Sequence, residues 1–303
     1  MENFMRLKNR FTPELLDYFL KLGRGLGKFN NYAPWHQVTR IDPPSKGRSS
    51  VMFNHTIMRD IHLLSDGELV CYYFALMTPN IVDIREQFPL SQDDLINELF
   101  EYDLKQAEVL PGTVHICKSL KYKHPSINGN GRSALWVMTT DILLTFKDDQ
   151  NRFSLLAISY KASFDALTKR DKQKLEIELN YWNLRNVKWQ LLTNSNFHPG
   201  IALTLRKSAP WVTITPVSLF YIQFTIEKIP EFYGLQYWTF IKFLEIEFKC
   251  MNLAQGAFWQ TVWSGKIMID LRNDFRPSTI IKPISKELMM TFNPITNGSS
   301  SWI

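Results

Sequence analysis

The sequence contains few cysteines, and the three that it has are scattered. Cys71, Cys117 and Cys250 lie far apart along the 303 residues. No pair can form a Cys-x-x-Cys zinc half-site, and three cysteines are too few for a disulfide framework. This cysteine usage predicts a reducing, cytoplasmic location.

Several catalytic motifs are also missing. The chain has no Gly-x-Ser-x-Gly and no His-Glu-x-x-His, and its six histidines form no tight cluster in sequence. These absences exclude the usual serine hydrolases and zinc proteases. The glycine-rich stretch 23–28 is not a Walker A motif, because Lys28 is followed by Phe29 instead of Ser or Thr.

Long apolar runs are absent as well. Short apolar stretches in the first thirty residues are interrupted by charges, which predicts no secretory signal. The segment 208–226 has no charge, but Pro210, Pro216 and several hydroxyl side chains break it. It is therefore predicted to be a buried segment of a water-soluble fold that does not span a membrane.

What remains is an ordinary globular composition with a basic balance. Apolar residues make up 45% and charged residues 21%, which excludes a disordered or fibrous chain. The length favours two domains, predicted at 1–205 and 206–303. A formal net charge of +6 is compatible with an anionic partner such as DNA.

Local patterns predict an α/β arrangement in the first domain. Thr12-Pro13 opens a helix to about residue 22, and Ser65 begins a second helix that ends near residue 77. The stretch 81–90 is predicted to be a strand that alternates inward and outward side chains. Further strands are predicted at 136–146, 153–160 and 187–193, with a helix at 168–185. Strand, strand, helix and strand in succession indicate an α/β core.

The second domain has a different pattern. Aromatic-rich helical segments are expected at 216–226, 236–252 and 253–264. A short strand pair is expected to begin with residues 265–271. Helices followed by such a pair predict a mostly helical, winged-helix-like domain.

The candidate chemistry lies on the hairpin formed by the two central strands. Asp141 is on the first strand, and Lys161 follows the second. Asp141 and Lys161 share a face if Asp141 lies opposite Ser159, which requires a five-residue loop at 148–152. A carboxylate beside a lysine can hold a divalent cation and a phosphate together, although such a pair is more often an ordinary surface ion pair.

Glu68 is the candidate third member of this group. The pattern Ser65-x-x-Glu68 is also a capping box, which explains this glutamate without any catalytic role. Both interpretations hold if the start of the helix faces the sheet.

Several motifs resemble those of the TnsA family, the endonuclease subunits of heteromeric TnsABC-type DNA transposases. The resemblance extends over essentially the whole chain, and the segment 83–90 is its most specific part. The matching motifs are Arg24-Gly25-x-Gly27, Tyr32-x-Pro34-Trp35, Ser45-x-Gly47-Arg48-Ser49, His62 to Leu69, Asp83 to Leu90, Lys123-His124-Pro125, Met138-x-Thr140-Asp141, Lys174 to Trp182 and, more loosely, Gly265 to Ile269.

The resemblance implies a restriction-endonuclease-like domain, in which a mixed sheet is flanked by helices. This domain is expected to hydrolyse DNA with Mg²⁺, and Mn²⁺ is expected to substitute for Mg²⁺. Glu68, Asp141 and Lys161 fall on the family's catalytic Glu, Asp and Lys. The main-chain carbonyl of Tyr160 is implied as a further metal ligand beside Glu68 and Asp141. Ser159 is a departure, because the family can carry Gln there, and a serine hydroxyl is a poor substitute for a carboxylate on Mg²⁺.

The resemblance also implies partners. TnsA enzymes cut the 5′ strands at transposon ends, while a TnsB-type DDE transposase acts on the 3′ ends and a TnsC-type AAA+ regulator contacts the C-terminal region. The protein is then expected to act at the bacterial nucleoid. Apart from the resemblance, Arg48, Lys121 and Lys123 are candidate contacts to the DNA backbone because they are basic and lie in predicted loops, although solvated loops explain them equally well. Two alternatives stay open at this point: a free-standing restriction or repair nuclease, and a non-catalytic architectural subunit.

Overall fold

A mixed four-stranded sheet lies at the centre of the protein. The computed structural model describes residues 11–45, 47–213 and 216–302; the charged residues before Phe11, which bear on the predicted lack of a secretory signal, lie outside them. The strands of this sheet are β3 (Ile81–Pro89), β8 (Thr139–Lys147), β9 (Phe153–Tyr160) and β10 (Lys188–Leu192). The strand order is β10-β9-β8-β3, in which β10 is parallel to β9 and the other pairs are antiparallel.

Three two-stranded hairpins that the sequence patterns did not reveal surround this sheet. Their strands are β1 (Ser50–Asn54) with β2 (Arg59–Leu63), β4 (Leu95–Ile96) with β5 (Val109–Leu110), and β6 (Ser126–Gly129) with β7 (Arg132–Leu135). The α-helices are α1 (Pro13–Lys21), α2 (Asp66–Leu76), α3 (Thr113–Ser119), α4 (Lys169–Leu184), α5 (Pro199–Val212), α6 (Leu219–Lys228), α7 (Tyr237–Phe248), α8 (Met251–Trp263) and α9 (Lys286–Thr291).

The two faces of the sheet contact different helices. Ile142 and Ile158 belong to one apolar core, together with α2 and the C-terminal helices α5, α7 and α8. Leu143 and Ala157, on the other face, pack with α3 and α4. The predicted domain boundary at residue 205 falls inside α5, and the division into two domains stays a prediction. Within the described part of the chain, no helix combines the length and apolarity that crossing a membrane requires.

Strand β3 does not alternate as predicted, because six consecutive residues are buried. The buried charges have partners from distant parts of the chain. Asp83 accepts hydrogen bonds from the Phe29 amide at 2.9 Å and the Tyr102 hydroxyl at 2.6 Å. Glu86 forms a 2.7 Å ion pair with Arg59. A buried charge is tolerated when it is paired in this way, so hydrophobic alternation is not needed here.

The winged-helix expectation is not supported in its strand pair. Among the described residues of this region, the structure forms single bridges, between Ile269 and Pro283 after α8 and between Gln236 before α7 and Ile280, and no extended strand pair. The first bridge is flanked by backbone hydrogen bonds from the Asp270 amide to the Lys282 carbonyl at 2.9 Å and from the Ile284 amide to the Met268 carbonyl at 3.1 Å. The helices before it are present close to their predicted positions, so the C-terminal region is helical as expected.

Candidate active site

The register of the β8–β9 hairpin is the one predicted from sequence. Ile142 pairs with Ile158, and Lys147 pairs with Phe153, so Asp141 lies across from Ser159. The five-residue loop 148–152 is closed by a 3.0 Å hydrogen bond from the Asp148 amide to the Arg152 carbonyl. The hairpin therefore presents Asp141 next to the residues that end β9.

Asp141 and Lys161 are in direct contact. Asp141 Oδ2 accepts hydrogen bonds from the Tyr160 amide at 2.7 Å and from Lys161 Nζ at 3.4 Å. Lys161 Nζ also donates to the Tyr160 carbonyl at 2.7 Å. No described residue donates to Asp141 Oδ1. The carboxylate is thus held by one oxygen, and its other oxygen has no donor among the described residues.

Glu68 lies in the first turn of α2, bonded to the Ser65 cap, and within electrostatic reach of Asp141 and Lys161. The Ser65 hydroxyl accepts a 3.2 Å hydrogen bond from the Glu68 amide, while the Glu68 carboxylate accepts from the Leu64 amide at 2.9 Å and the Ser65 hydroxyl at 3.0 Å. Burial, and then the charge of Asp141, raise the pKa of Glu68 to about 7, against the lowering effects of the Leu64 and Ser65 hydrogen bonds and of the Lys161 charge. The Ser65 cap is therefore confirmed, although the Glu68 carboxylate accepts from the amide of Leu64 and not from that of Ser65, and the role of Glu68 in a site stays a prediction.

A glycine allows α2 to approach β9. A Cβ atom placed on Gly67 would lie 1.9 Å from Tyr160 Cζ and 2.4 Å from its hydroxyl oxygen. The Tyr160 hydroxyl donates a 2.7 Å hydrogen bond to Asn194 Oδ1, which holds the ring in place. The absence of a side chain at Gly67 thus sets the separation between the first turn of α2 and the end of β9.

Glu178 is a third carboxyl group near the site, and sequence reasoning missed it. Its side chain accepts hydrogen bonds from the Ser159 hydroxyl at 2.5 Å and the Thr140 hydroxyl at 2.6 Å. Burial, and then the charge of Asp141, raise the pKa of Glu178 to about 7. Its spacing from Leu175 and Trp182 is a sequence signal that was available, because it places a carboxylate on the apolar face of α4.

Ser159, the departure from the family pattern, forms a hydrogen bond with a carboxylate. Its side chain is buried, and its hydroxyl is used by Glu178. Glu178 extends from α4 to the inner side of Ser159, whose hydroxyl donates to its carboxylate. The departure at Ser159 therefore does not leave this side of the hairpin without a carboxylate.

The electrostatics of the site favour a cation. Burial lowers the pKa of Lys161, but the negative charges of Asp141, Glu178 and Glu68 outweigh this effect and raise it. One ammonium group thus faces three carboxyl groups, two of which have pKa values raised toward neutrality. A bound divalent cation would relieve this excess of negative charge.

The donor set fits a hard cation such as Mg²⁺, with only part of the coordination coming from protein. Among the described residues, no group of three His, Cys, Asp or Glu side chains is arranged to hold a metal ion. Glu68 and Asp141 offer carboxylate oxygens, and the Tyr160 carbonyl, although bonded to Lys161, retains a second lone pair. Mg²⁺ ordinarily binds one or two carboxylates and keeps several waters, which agrees with this set.

The three candidate DNA contacts are exposed. Arg48 is in the loop before β1, and its neighbour Gly47 lies against Ser65 at the start of α2. Lys121 and Lys123 are on the loop after α3. In the described structure, no hydrogen bond or ion pair joins either lysine side chain to Glu68 or Asp141.

Comparison with known proteins finds similarity to transposition endonucleases. The family described as TnsA-like endonuclease N terminal matches residues 78–194, which contain Asp141, Lys161 and Glu178. The chain is 33% identical over 182 residues to the transposition protein TnsA of transposon Tn7 from Escherichia coli. The chain is therefore similar to TnsA-like endonucleases over this part of its length. The similarity covers 60% of this chain and 57% of that relative.

The similarity to TnsA-like endonucleases agrees with the geometry of the matched segment. The segment contains β3, β8, β9, α4 and β10, which are the whole central sheet and the helix that carries Glu178. Glu68 lies outside the segment, on α2. Its place in the site therefore rests on the contacts of α2 with β9 and β3.

Proposed function

We propose that this protein is a metal-dependent DNA endonuclease of a transposition system. It would cleave the 5′, non-transferred strands at the ends of the element, together with a DDE transposase subunit. The observation that carries the proposal is the direct contact of Asp141 with Lys161, at the end of β9 that α2 and Glu68 approach.

The proposed metal ion is Mg²⁺, for which Mn²⁺ would substitute. Glu68, Asp141 and the Tyr160 carbonyl would hold it. When bound, such an ion polarises a phosphoryl oxygen and lowers the pKa of a coordinated water.

The protein's own groups have distinct proposed roles. The Lys161 ammonium, kept charged by the surrounding carboxylates, would bind the scissile phosphate and stabilise the charge that develops on it. Asp141 orients that ammonium through its Oδ2 atom. Glu178 would act behind the site, since its carboxylate is directed to the Ser159 and Thr140 hydroxyls. Arg48, Lys121 and Lys123 would contact the DNA backbone.

The proposed partners are transposon-end DNA, a TnsB-type DDE transposase and a TnsC-type AAA+ regulator, which would place the protein at the bacterial nucleoid. The C-terminal region, inferred to be winged-helix-like, would bind the regulator. In support, Leu219, Phe220 and Ile246 on α6 and α7 are each more than 70% exposed. Large apolar side chains exposed together are typical of protein-binding surfaces.

The test is strand-resolved cleavage of end-labelled transposon DNA, with and without the transposase. We expect cuts in the 5′ strand that need Mg²⁺ or Mn²⁺ and that disappear in Asp141→Asn. Asp148→Asn, at the exposed turn of the same hairpin, is the matched control and should cut normally. Sequence-specific cutting without the transposase would indicate a free-standing nuclease, and transposition that proceeds unchanged in Asp141→Asn would indicate an architectural subunit.

A further inference from the structure

Gln87 on β3 contacts the Glu68 carboxylate from the side of the sheet, whereas the other contacts of this carboxylate come from the start of α2. Its side chain is 2% exposed, and Nε2 donates a 3.0 Å hydrogen bond to Glu68 Oε2. The other two donors to the Glu68 carboxylate, Leu64 and Ser65, belong to the turn that begins α2. Gln87 is therefore the donor that ties this carboxylate to the sheet.

The backbone at Gln87 is unusual for a strand. It has φ of 48°, a left-handed conformation that is uncommon for residues other than glycine. The neighbouring pairs Glu86–Ile142 and Phe88–Thr140 place Gln87 across from Asp141. Its carbonyl accepts a 3.2 Å hydrogen bond from the Trp35 amide, which holds this conformation from outside the sheet. Backbone held in a sparsely populated region is concentrated at functional sites.

We propose that Gln87 is a positioning residue for the metal site, an inference that rests on the proposed nuclease function. Its amide orients Glu68 toward Asp141 on the adjacent strand. A neutral donor suits this task, since an arginine or lysine at the same place would neutralise the carboxylate that the cation needs. Partners of metal-binding carboxylates act in this way, by fixing the orientation of the ligand.

The test compares metal affinity in the full chain by titration calorimetry with Mn²⁺. Gln87→Met removes the amide at similar volume, and Gln87→Gly removes it while easing the left-handed backbone. Both variants should bind Mn²⁺ between 10- and 100-fold more weakly, the usual effect of losing such a partner. Cleavage at low Mn²⁺ should fall in parallel and should recover at high Mn²⁺, which a general loss of structure would not do.

Gln190→Met is the matched control. Gln190 is a fully buried glutamine on β10 of the same sheet, and its amide contacts no polar group of the described residues. This variant should keep wild-type Mn²⁺ affinity.

Two outcomes overturn the inference: folded Gln87 variants with wild-type Mn²⁺ affinity, or an equal loss of affinity in Gln190→Met. If Gln87→Met does not fold, Gln87→Gly decides. A wild-type chain that neither binds Mn²⁺ nor cuts DNA would instead contradict the proposed function. In that case Asp141→Asn and wild type would give the same Mn²⁺ binding signal and the same absence of cleavage.

Discussion

Replacing Gly67 with alanine tests whether the approach of α2 to β9 builds the site. The added Cβ would lie 1.9 Å from Tyr160 Cζ, and ordinary contact begins near 3.4 Å. Either the helix start or the tyrosine ring must move by about 1.5 Å. Movement of the ring is opposed by its hydrogen bond to Asn194. We therefore expect the first turn of α2, with Glu68, to shift away from Asp141.

The expected effect is large on activity and small on stability. A misplacement of about 1 Å at a reacting site costs on the order of 100-fold in rate. Overpacking costs ~1–3 kcal/mol in the free energy of unfolding, but alanine regains ~1 kcal/mol over glycine within a helix. Gly67→Ala should thus lose about 100-fold in 5′-strand cleavage, and its free energy of unfolding should fall by no more than about 2 kcal/mol.

A double-mutant cycle with Tyr160→Ala provides the control. Removing the ring keeps the Tyr160 carbonyl and makes room for the new Cβ atom. The double variant Gly67→Ala, Tyr160→Ala should therefore cut DNA faster than Gly67→Ala alone. Wild-type cutting by Gly67→Ala would refute the reasoning, as would a double variant that is no faster, when urea unfolding shows that all the proteins are folded.

The remaining predictions concern three side chains. Lys161→Ala should lose about 3 kcal/mol of transition-state stabilisation, roughly 100-fold in the rate of 5′-strand cutting, while joining of the 3′ strand by the partner persists. The assay resolves the joined products by size and strand polarity. Loss of both the 5′ cutting and the 3′ joining would contradict this prediction. Ser159→Ala removes one of the two hydroxyl groups that donate to the buried Glu178 carboxylate. The free energy of unfolding, measured with urea, should therefore fall by ~1–2 kcal/mol. An unchanged unfolding midpoint would show that this hydrogen bond does not stabilise the protein. His36 packs against three aromatic rings, and burial lowers its pKa to about 4 from 6.5, so the unfolded chain binds a proton between these values and stability falls as pH drops below 6.5. When the pH falls from 7.5 to 5, the free energy of unfolding of His36→Phe should therefore fall by ~1–2 kcal/mol less than that of wild type, as measured by urea unfolding. Equal decreases in the two proteins would refute the assignment.

The sequence predicts the parts of this protein that local interactions determine. The β8–β9 register follows from two strands and a polar five-residue turn, so the placement of Asp141 across from Ser159 is confirmed. The start of α2 follows from the Ser65 cap, which is likewise confirmed. Both features depend on hydrogen bonds and side-chain alternation within a few residues, and such information is present in a short window of sequence.

Only the tertiary structure decides which distant residues meet. The buried charges of β3 look unlike a core strand in sequence, because their partners, such as Arg59 for Glu86, come from other elements. Glu178 and Gln87 each contact the candidate site through hydrogen bonds that join different elements. No local pattern specifies how closely α2 packs on the sheet. That distance depends on the fit of Gly67 against Tyr160, and it decides whether a helix-capping glutamate also becomes part of a site.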